Sequence, residues 1–536
     1  MFTIRRVRSL LILALSIAPA ALSEKLTTPP PDARAKVDKI FERFNHTDTP
    51  GCEVGAAIDG ATVLTSAYGM ADLEHGIALS PESVLEPGSI AKQFTAAAVL
   101  LLVQQGKLSL DDPVRRYIPE VPDYGTPITI RHLINHTSGL RDWGSVAAIG
   151  GWPRTTREYT HAHVLEIVSR QQALNYPPGA AYSYTNTGFN LAAILVSRVS
   201  GKPFPEFTRD QIFAPLGMSS TQWRDDFRRI VRNRAVAYAP SGNSFRQDMP
   251  FEDIFGNGGL LTTAGDLLRW NRNFTDAKVG GRAFVDAQHV QGRLTDGQTI
   301  AYAAGLMVLH WKGLNEVSHS GSTAGYQAWL GRYPEQGLSV AVLCNVASAN
   351  ATQLGHQVAD LYLASVIHEP PHEVHKIDSS VAGLYRSARD HRALSIDVQD
   401  GKLRMDGRIV GEDGPHAEFE KDASGRVVRL RLANPVDGGE YYEKIERWSP
   451  IPAELEAMTG EYSSDEAEVT LRVAFENNHL VIHRRPDTII PLLPTYRDGF
   501  SSSLGSVRFL RDPSDRITEL SVGEQRVWDM RFRRVR

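Results

Sequence analysis

"LEPGSIAKQFTAAAVLLLVQQGK", residues 85–107, sets a serine and a lysine, Ser89 and Lys92, at the head of an apolar run that stops at Gly106. The run has helical length, good helix formers and a glycine at its end, so the spacing predicts a helix over 89–105. Residues three apart share a helix face, which brings Ser89 and Lys92 within reach of each other. A serine hydroxyl attacks poorly at neutral pH unless a base is positioned beside it. Burying the lysine would depress its pKa and turn it into such a base. The first turn also leaves backbone N–H groups free around Ser89. Ser-x-x-Lys recurs by chance about once in a chain of this length. On its own the stretch describes an ordinary buried helix just as well.

Other segments decide between the two. "YPPGAAYSYTNTGFNLAAILV" (176–196) carries Tyr184-Thr185-Asn186 just ahead of an apolar helix. A tyrosine relays protons, and an asparagine amide holds a lysine or a substrate amide. "EVSHSGSTAGY" (316–326) carries His319-Ser320-Gly321-Ser322 on a predicted strand. There Gly321 would let a substrate backbone lie close, and the Ser322 N–H would complete an oxyanion hole with that of Ser89.

In this order the three stretches resemble the penicillin-recognising serine hydrolase superfamily, in its class C β-lactamase, D-alanyl-D-alanine carboxypeptidase and esterase form. The marks are Ser-x-x-Lys, Tyr-x-Asn and Lys- or His-x-Gly. The segments "GKLSLDDPVRRYIPE", "ITIRHLINHTSGLRD", "FAPLGMSSTQW" and "GNGGLLTTAGDLLRW" look like the same family, so the resemblance runs from about Gly51 to Val346. It implies that Ser89 is acylated, and that Lys92 and Tyr184 share general-base and general-acid work. It further implies that Asn186 orients Lys92 and the substrate amide, that His319 lines the substrate strand and assists proton traffic near Tyr184, and that Ser89, Gly321 and Ser322 form the oxyanion side. One departure stands out. Many β-lactamases of the family hold a lysine where this chain has His319, and its fixed charge helps bind the drug's carboxylate. "HTSGLRDW" and a doubled C-terminal β-unit make the architecture most similar to that of the D-aminopeptidases.

The chain has 536 residues with a formal net charge of −4, which gives no electrostatic case for nucleic acid. Arg5, Arg6 and Arg8 precede an apolar run from Leu10 to Leu22, with Ala21-Leu22-Ser23 as a small-residue cleavage site. That reads as a signal peptide over 1–23, followed by a periplasmic or secreted protein without a stable membrane anchor. The catalytic domain is expected over 24–368, of α/β (α+β) β-lactamase-like class. β-Runs lie at both its ends around a helical middle, so its sheet, mostly antiparallel by the resemblance, joins strands distant in sequence. "CEVGAAIDGATVLTSAYG" gives two strands with a turn at Asp59-Gly60, and "GLMVLHW", "NEVSHSG", "YQAWLGRYP" and "LSVAVLCNV" give four more.

A Pro-rich linker over 369–379 follows, whose neighbouring His368 and its own His372 and His375 read as polar linker residues rather than metal ligands. Beyond it lie two all-β, barrel-like repeats, 380–450 and 451–536. "GLYRS" from Gly383 matches "GEYSS" from Gly460 at an offset of 77, and "FEKDASGRV" from Phe419 matches "FLRDPSDRI" from Phe509 at an offset of 90. The second copy therefore holds about 13 extra residues around "RRPDTIIPLLPTYRDG" (484–499), read as a surface loop or as an arm reaching the site.

The spacing of Cys52 and Cys344 leaves open whether they are buried thiols or a disulfide. The resemblance pairs the first and last strands of the sheet and so makes Cys52–Cys344 a disulfide candidate, worth about 4–5 kcal/mol by loop entropy. No cofactor or metal is expected. The function expected is an exported serine hydrolase acting through an acyl-enzyme on a small peptide, ester or β-lactam, most of all a D-amino-acid peptidase. A class C-like β-lactamase or esterase is the nearest alternative, and a penicillin-binding sensor or scaffold the non-enzyme one. Oligomeric state is left open.

Overall fold

Alternation decides the central sheet. In the computed structural model, which describes residues 25–368, 378–410 and 416–535, strand β1 (Cys52–Ile58) is buried along its whole length. Its side chains point alternately to two cores. Cys52, Val54, Ala56 and Ile58 pack on one side and Ala57 on the other. β1 turns through Asp59 and Gly60, both at positive φ, into β2 (Ala61–Tyr68), the backbone a two-residue hairpin demands. The remaining strands come from 250 residues later: β3 (Met307–Trp311), β4 (Leu314–Thr323), β5 (Tyr326–Tyr333) and β6 (Leu338–Cys344). The six-stranded order is β2-β1-β6-β5-β4-β3, and every pairing is antiparallel. In the β1–β6 register Cys52 lies opposite Cys344, and the two sulfurs are bonded. This pairing ties the two sequence ends of the sheet together.

Helices cover both faces. α1 (Lys92–Gln104) is apolar all round and almost wholly buried, as expected of a helix with no solvent face. A single 3₁₀ turn, Gly88–Ala91, leads into it. α2 (Trp143–Ile149), α3 (Asn186–Ser200) and α4 (Ala264–Asp276) share with α1 the core on the Ala57 side of the sheet, and α5 (Ala351–Leu363) packs on the Cys52 side. No helix among the described residues is long and apolar enough to cross a membrane.

The two C-terminal repeats are not alike. Residues 383–445 form a seven-stranded sheet that stays open among the described residues, whereas residues 460–534 form a closed eight-stranded barrel. The extra residues of the second copy are neither loop nor arm. They supply the long strand Thr488–Tyr496, which pairs with both its neighbours and completes the barrel. Among the described residues, the first copy has only the two-residue strand Arg408–Ile409 in that region. The barrel's last hairpin is β7 (Ile517–Glu524) and β8 (Val527–Arg534), joined at Gln525-Arg526. Most of the 369–379 linker, with His372 and His375, and the 1–23 segment lie outside the described residues.

Candidate active site

Ser89 occupies the 3₁₀ turn, and Lys92 begins α1. Lys92 is fully buried, and its Nζ lies 3.1 Å from Ser89 Oγ, 3.0 Å from Asn186 Oδ1 and 2.7 Å from the Asn257 carbonyl. Burial holds its pKa well below the usual 10.5; the Arg526 guanidinium pushes the same way. The two carbonyl oxygens can only accept. A neutral amine therefore spends both N–H bonds on them and turns its lone pair to Ser89.

Asn186 is the first residue of α3, whose N-cap is Thr185. Its backbone N–H donates to Asp142 Oδ2 at 2.7 Å, while Asp142 Oδ1 caps α2 through the Gly144 and Ser145 N–H groups. Asp142 thus locks the Tyr184-Thr185-Asn186 turn to the start of α2. The Tyr184 ring stands 4.8 Å from Lys92 Nζ, and its hydroxyl is buried without an aligned hydrogen bond to any protein group. Burial raises the Tyr184 pKa, and the neighbouring Ser89 hydroxyl offsets only part of that. The phenol keeps its proton at neutral pH.

His319 is buried, which lowers its pKa to about 4, with Lys92 adding to the shift. Its Nδ1 donates to the Ser320 carbonyl at 2.6 Å, so its Nε2 accepts from Tyr302 Oη at 3.2 Å. The imidazole is neutral and both nitrogens are taken. Its ring centroid lies 6.2 Å from that of Tyr184, with no direct hydrogen bond between the two side chains.

Gly321 lies against the serine turn. A Cβ there would meet the Pro87 carbonyl oxygen at 1.9 Å and the Ser89 nitrogen at 2.8 Å. The missing Cβ makes room for the turn bearing Ser89, and Gly321 itself lines the cleft beside it. Gly88, at positive φ, would clash in the same way with the Ser322 nitrogen at 2.5 Å. These two glycines let β4 and the serine turn close on each other. β3 pairs with β4 only as far as Ser318, which leaves the edge of β4 from His319 onward without a strand neighbour.

Three residues were not singled out by the sequence. Tyr302 holds His319. His136, at positive φ, packs 4.2 Å from the Tyr184 ring and accepts the Thr185 N–H. Arg526 comes from the tip of the barrel's last hairpin. Its guanidinium lies 5.1 Å from the Tyr184 ring centroid, and its Nη1 is 3.9 Å from Asp142 Oδ2. The hairpin is clamped in place: Asp142 N–H and Asn175 Nδ2 donate to the Arg526 carbonyl, and the Trp528 N–H donates to Asn175 Oδ1. A buried Arg141–Glu466 ion pair anchors the barrel beside it.

Together these parts enclose a cleft of about 1110 Å³, lined by Ser89, Tyr184, His319 and Ser322 and roofed by residues of both repeats, Asp437 and Arg526 among them. No residue of 484–499 reaches it. Among the described residues the one grouping with metal-ligand spacing is Asp72, Glu74 and His75, away from the cleft.

Residues 37–363 match the beta-lactamase family. The chain belongs to that family. It is similar to a D-aminopeptidase of Brucella anthropi, 24% identical over 515 residues, which is 91% of this chain and 95% of that one. A D-aminopeptidase of Cereibacter sphaeroides is 27% identical over 382 residues, 68% of this chain and 70% of its own. Among solved structures, a D-amino acid amidase from Ochrobactrum anthropi SV3, complexed with L-phenylalanine amide, superposes with a TM-score of 0.53 at 22% identity, covering 62% of this chain and 99% of that chain. The last likeness shows the fold.

Proposed function

We propose that this beta-lactamase-family protein is an exported serine hydrolase that forms an acyl-enzyme on amides or esters, with D-amino-acid peptides as its substrates. The observation that carries the reaction type is the Lys92 amine, dry and 3.1 Å from Ser89 Oγ, with its other two contacts both acceptors. As Ser89 Oγ bonds to the carbonyl carbon, its proton passes to the Lys92 lone pair. The carbonyl oxygen becomes an anion facing the Ser89 and Ser322 N–H groups. Collapse breaks the bond to the leaving amine or alcohol, which takes the Tyr184 phenolic proton, and the Lys92 ammonium replaces that proton. Water then attacks the acyl-serine ester with the same groups in reverse. Base work thus falls to Lys92 and acid work to Tyr184, because burial depresses the one pKa and raises the other.

The choice of D-amino-acid peptides rests on the D-aminopeptidase relatives, one of which aligns along 91% of the chain. The N-terminal run supports export. Treatment with a fluorophosphonate, followed by peptide mapping by mass spectrometry, tests the nucleophile. The adduct is expected on Ser89 and absent from Ser89→Ala; a folded wild-type protein left unlabelled at Ser89 would overturn the reading.

A further inference from the structure

The cleft has an unused cation. Of the arginines that line it, Arg389 donates to Asp437 at 2.7 Å and Arg392 donates to Tyr442 Oη at 3.0 Å. Arg526 is different. Among the described residues its side chain makes no hydrogen bond, and its only ion-pair neighbour, Asp142, stands 3.9 Å away with its oxygens already accepting three backbone N–H groups. The side chain is about one-third exposed, and that exposure is toward the cleft it lines. A guanidinium presents several N–H donors in a fixed fork that matches a carboxylate. The backbone beneath it is held by the hydrogen bonds from Asp142 and Asn175, so the fork is offered from a rigid base.

The other wall of the cleft has no such charge. His319 is neutral and both its nitrogens are engaged. Lys92 is committed to Ser89, Asn186 and Asn257. Among the described residues of this site, an anionic group on a ligand meets one cationic group free of hydrogen bonds, Arg526.

We propose that Arg526 is a specificity-determining residue that receives a carboxylate on the substrate's amino-acid portion. The barrel, through one hairpin, thereby selects the ligands that the Ser89 turn can attack. This rests on the reading of Ser89 as the nucleophile. The same hairpin carries Glu524, whose Oε1 is buried without a partner and whose pKa burial raises. Were Glu524 the receptor instead, the preferred ligand would carry an ammonium and the carboxylate would bring no advantage.

Protection of Ser89 separates these outcomes without needing turnover. The rate of fluorophosphonate labelling of the full chain is measured against rising N-acetyl-D-alanine, and separately against N-acetyl-D-alaninamide. Loss of a charge-assisted hydrogen bond corresponds to roughly tenfold or more in affinity. Wild type is therefore expected to be protected by the carboxylate at a concentration roughly tenfold lower than by the amide. In Arg526→Gln the two concentrations converge, and in Arg526→Lys the gap is partly restored. An unchanged gap in Arg526→Gln, equal protection in wild type, or better protection by the amide overturns the proposal. Absence of any Ser89 labelling in wild type overturns instead the nucleophile on which it rests.

Discussion

The two C-terminal repeats send corresponding hairpins into one cleft and arm them with opposite charges. In the first repeat the loop after Val427–Ala433 carries Asp437; in the second the turn after β7 carries Arg526. Asp437 is buried against Arg389 of its own repeat and is silenced there. Among the described residues the Arg526 side chain makes no hydrogen bond or ion pair within the barrel, and it reaches across to Asp142 and Tyr184 of the catalytic unit. Repetition conserved the route into the site, and the partner inside each repeat decides whether the charge is spent. The catalytic floor below resembles the first hairpin, since every nitrogen on Lys92 and His319 is committed. Among the described cationic groups of the cleft, only the arginine of the second hairpin keeps its donors free of hydrogen bonds.

This contrast can be broken at several points. The largest effect should come from the floor. Lys92→Ala removes the proposed base and should lower kcat/KM by roughly a hundred- to ten-thousand-fold, the span of general-base catalysis, with circular dichroism unchanged. Next is the anchor of the roof. Glu466→Gln strands the buried Arg141 guanidinium, whose side chain is 3% exposed. Breaking a buried pair from one side costs about 3–5 kcal/mol, so thermal denaturation should begin at a clearly lower temperature. Reduction of Cys52–Cys344 should act on the sheet rather than the roof. Opening that 292-residue loop costs about 6 kcal/mol by chain entropy, and urea denaturation with and without reductant would read it.

Smaller effects probe the hairpins themselves. Asp437→Asn releases Arg389 and should make the first repeat behave like the second. Protection of Ser89 by N-acetyl-D-alanine should improve about threefold, the scale of one modest hydrogen bond. Smallest is a pH effect. Arg526 helps to depress the Lys92 pKa, so Arg526→Gln should raise it. A base must be neutral to act, and the acid limb of the kcat/KM profile should therefore move to higher pH.

Much of the catalytic floor was legible because local signatures mark it. Ser89 and Lys92 share one turn, Tyr184 and Asn186 flank one N-cap, and His319 to Ser322 lie on one strand. The strand segments were equally readable from their β-branched runs. What was not legible depends on distant pieces docking. The acceptor from residue 257 is a backbone carbonyl, which no residue type announces. Tyr302 and His136 matter only because the sheet and helices bring them to His319 and Tyr184. Gly321 was read as room for substrate and it lines the cleft, but its close packing against the turn bearing Ser89 is something no strand pattern reveals. The 484–499 insert was read as a loop or an arm, and instead its β-branched residues closed a barrel. Of the second repeat, the hairpin whose tip lines the site is the shorter turn at Gln525-Arg526, which carried no length signal at all.

The central claim is that a dry, neutral Lys92 activates Ser89. The rate of fluorophosphonate labelling of Ser89 as a function of pH tests it most directly. A depressed Lys92 predicts one acid limb and a plateau reached well before the ordinary lysine value of 10.5. A labelling rate that is still climbing through that value, or one unaltered in Lys92→Ala, would contradict it.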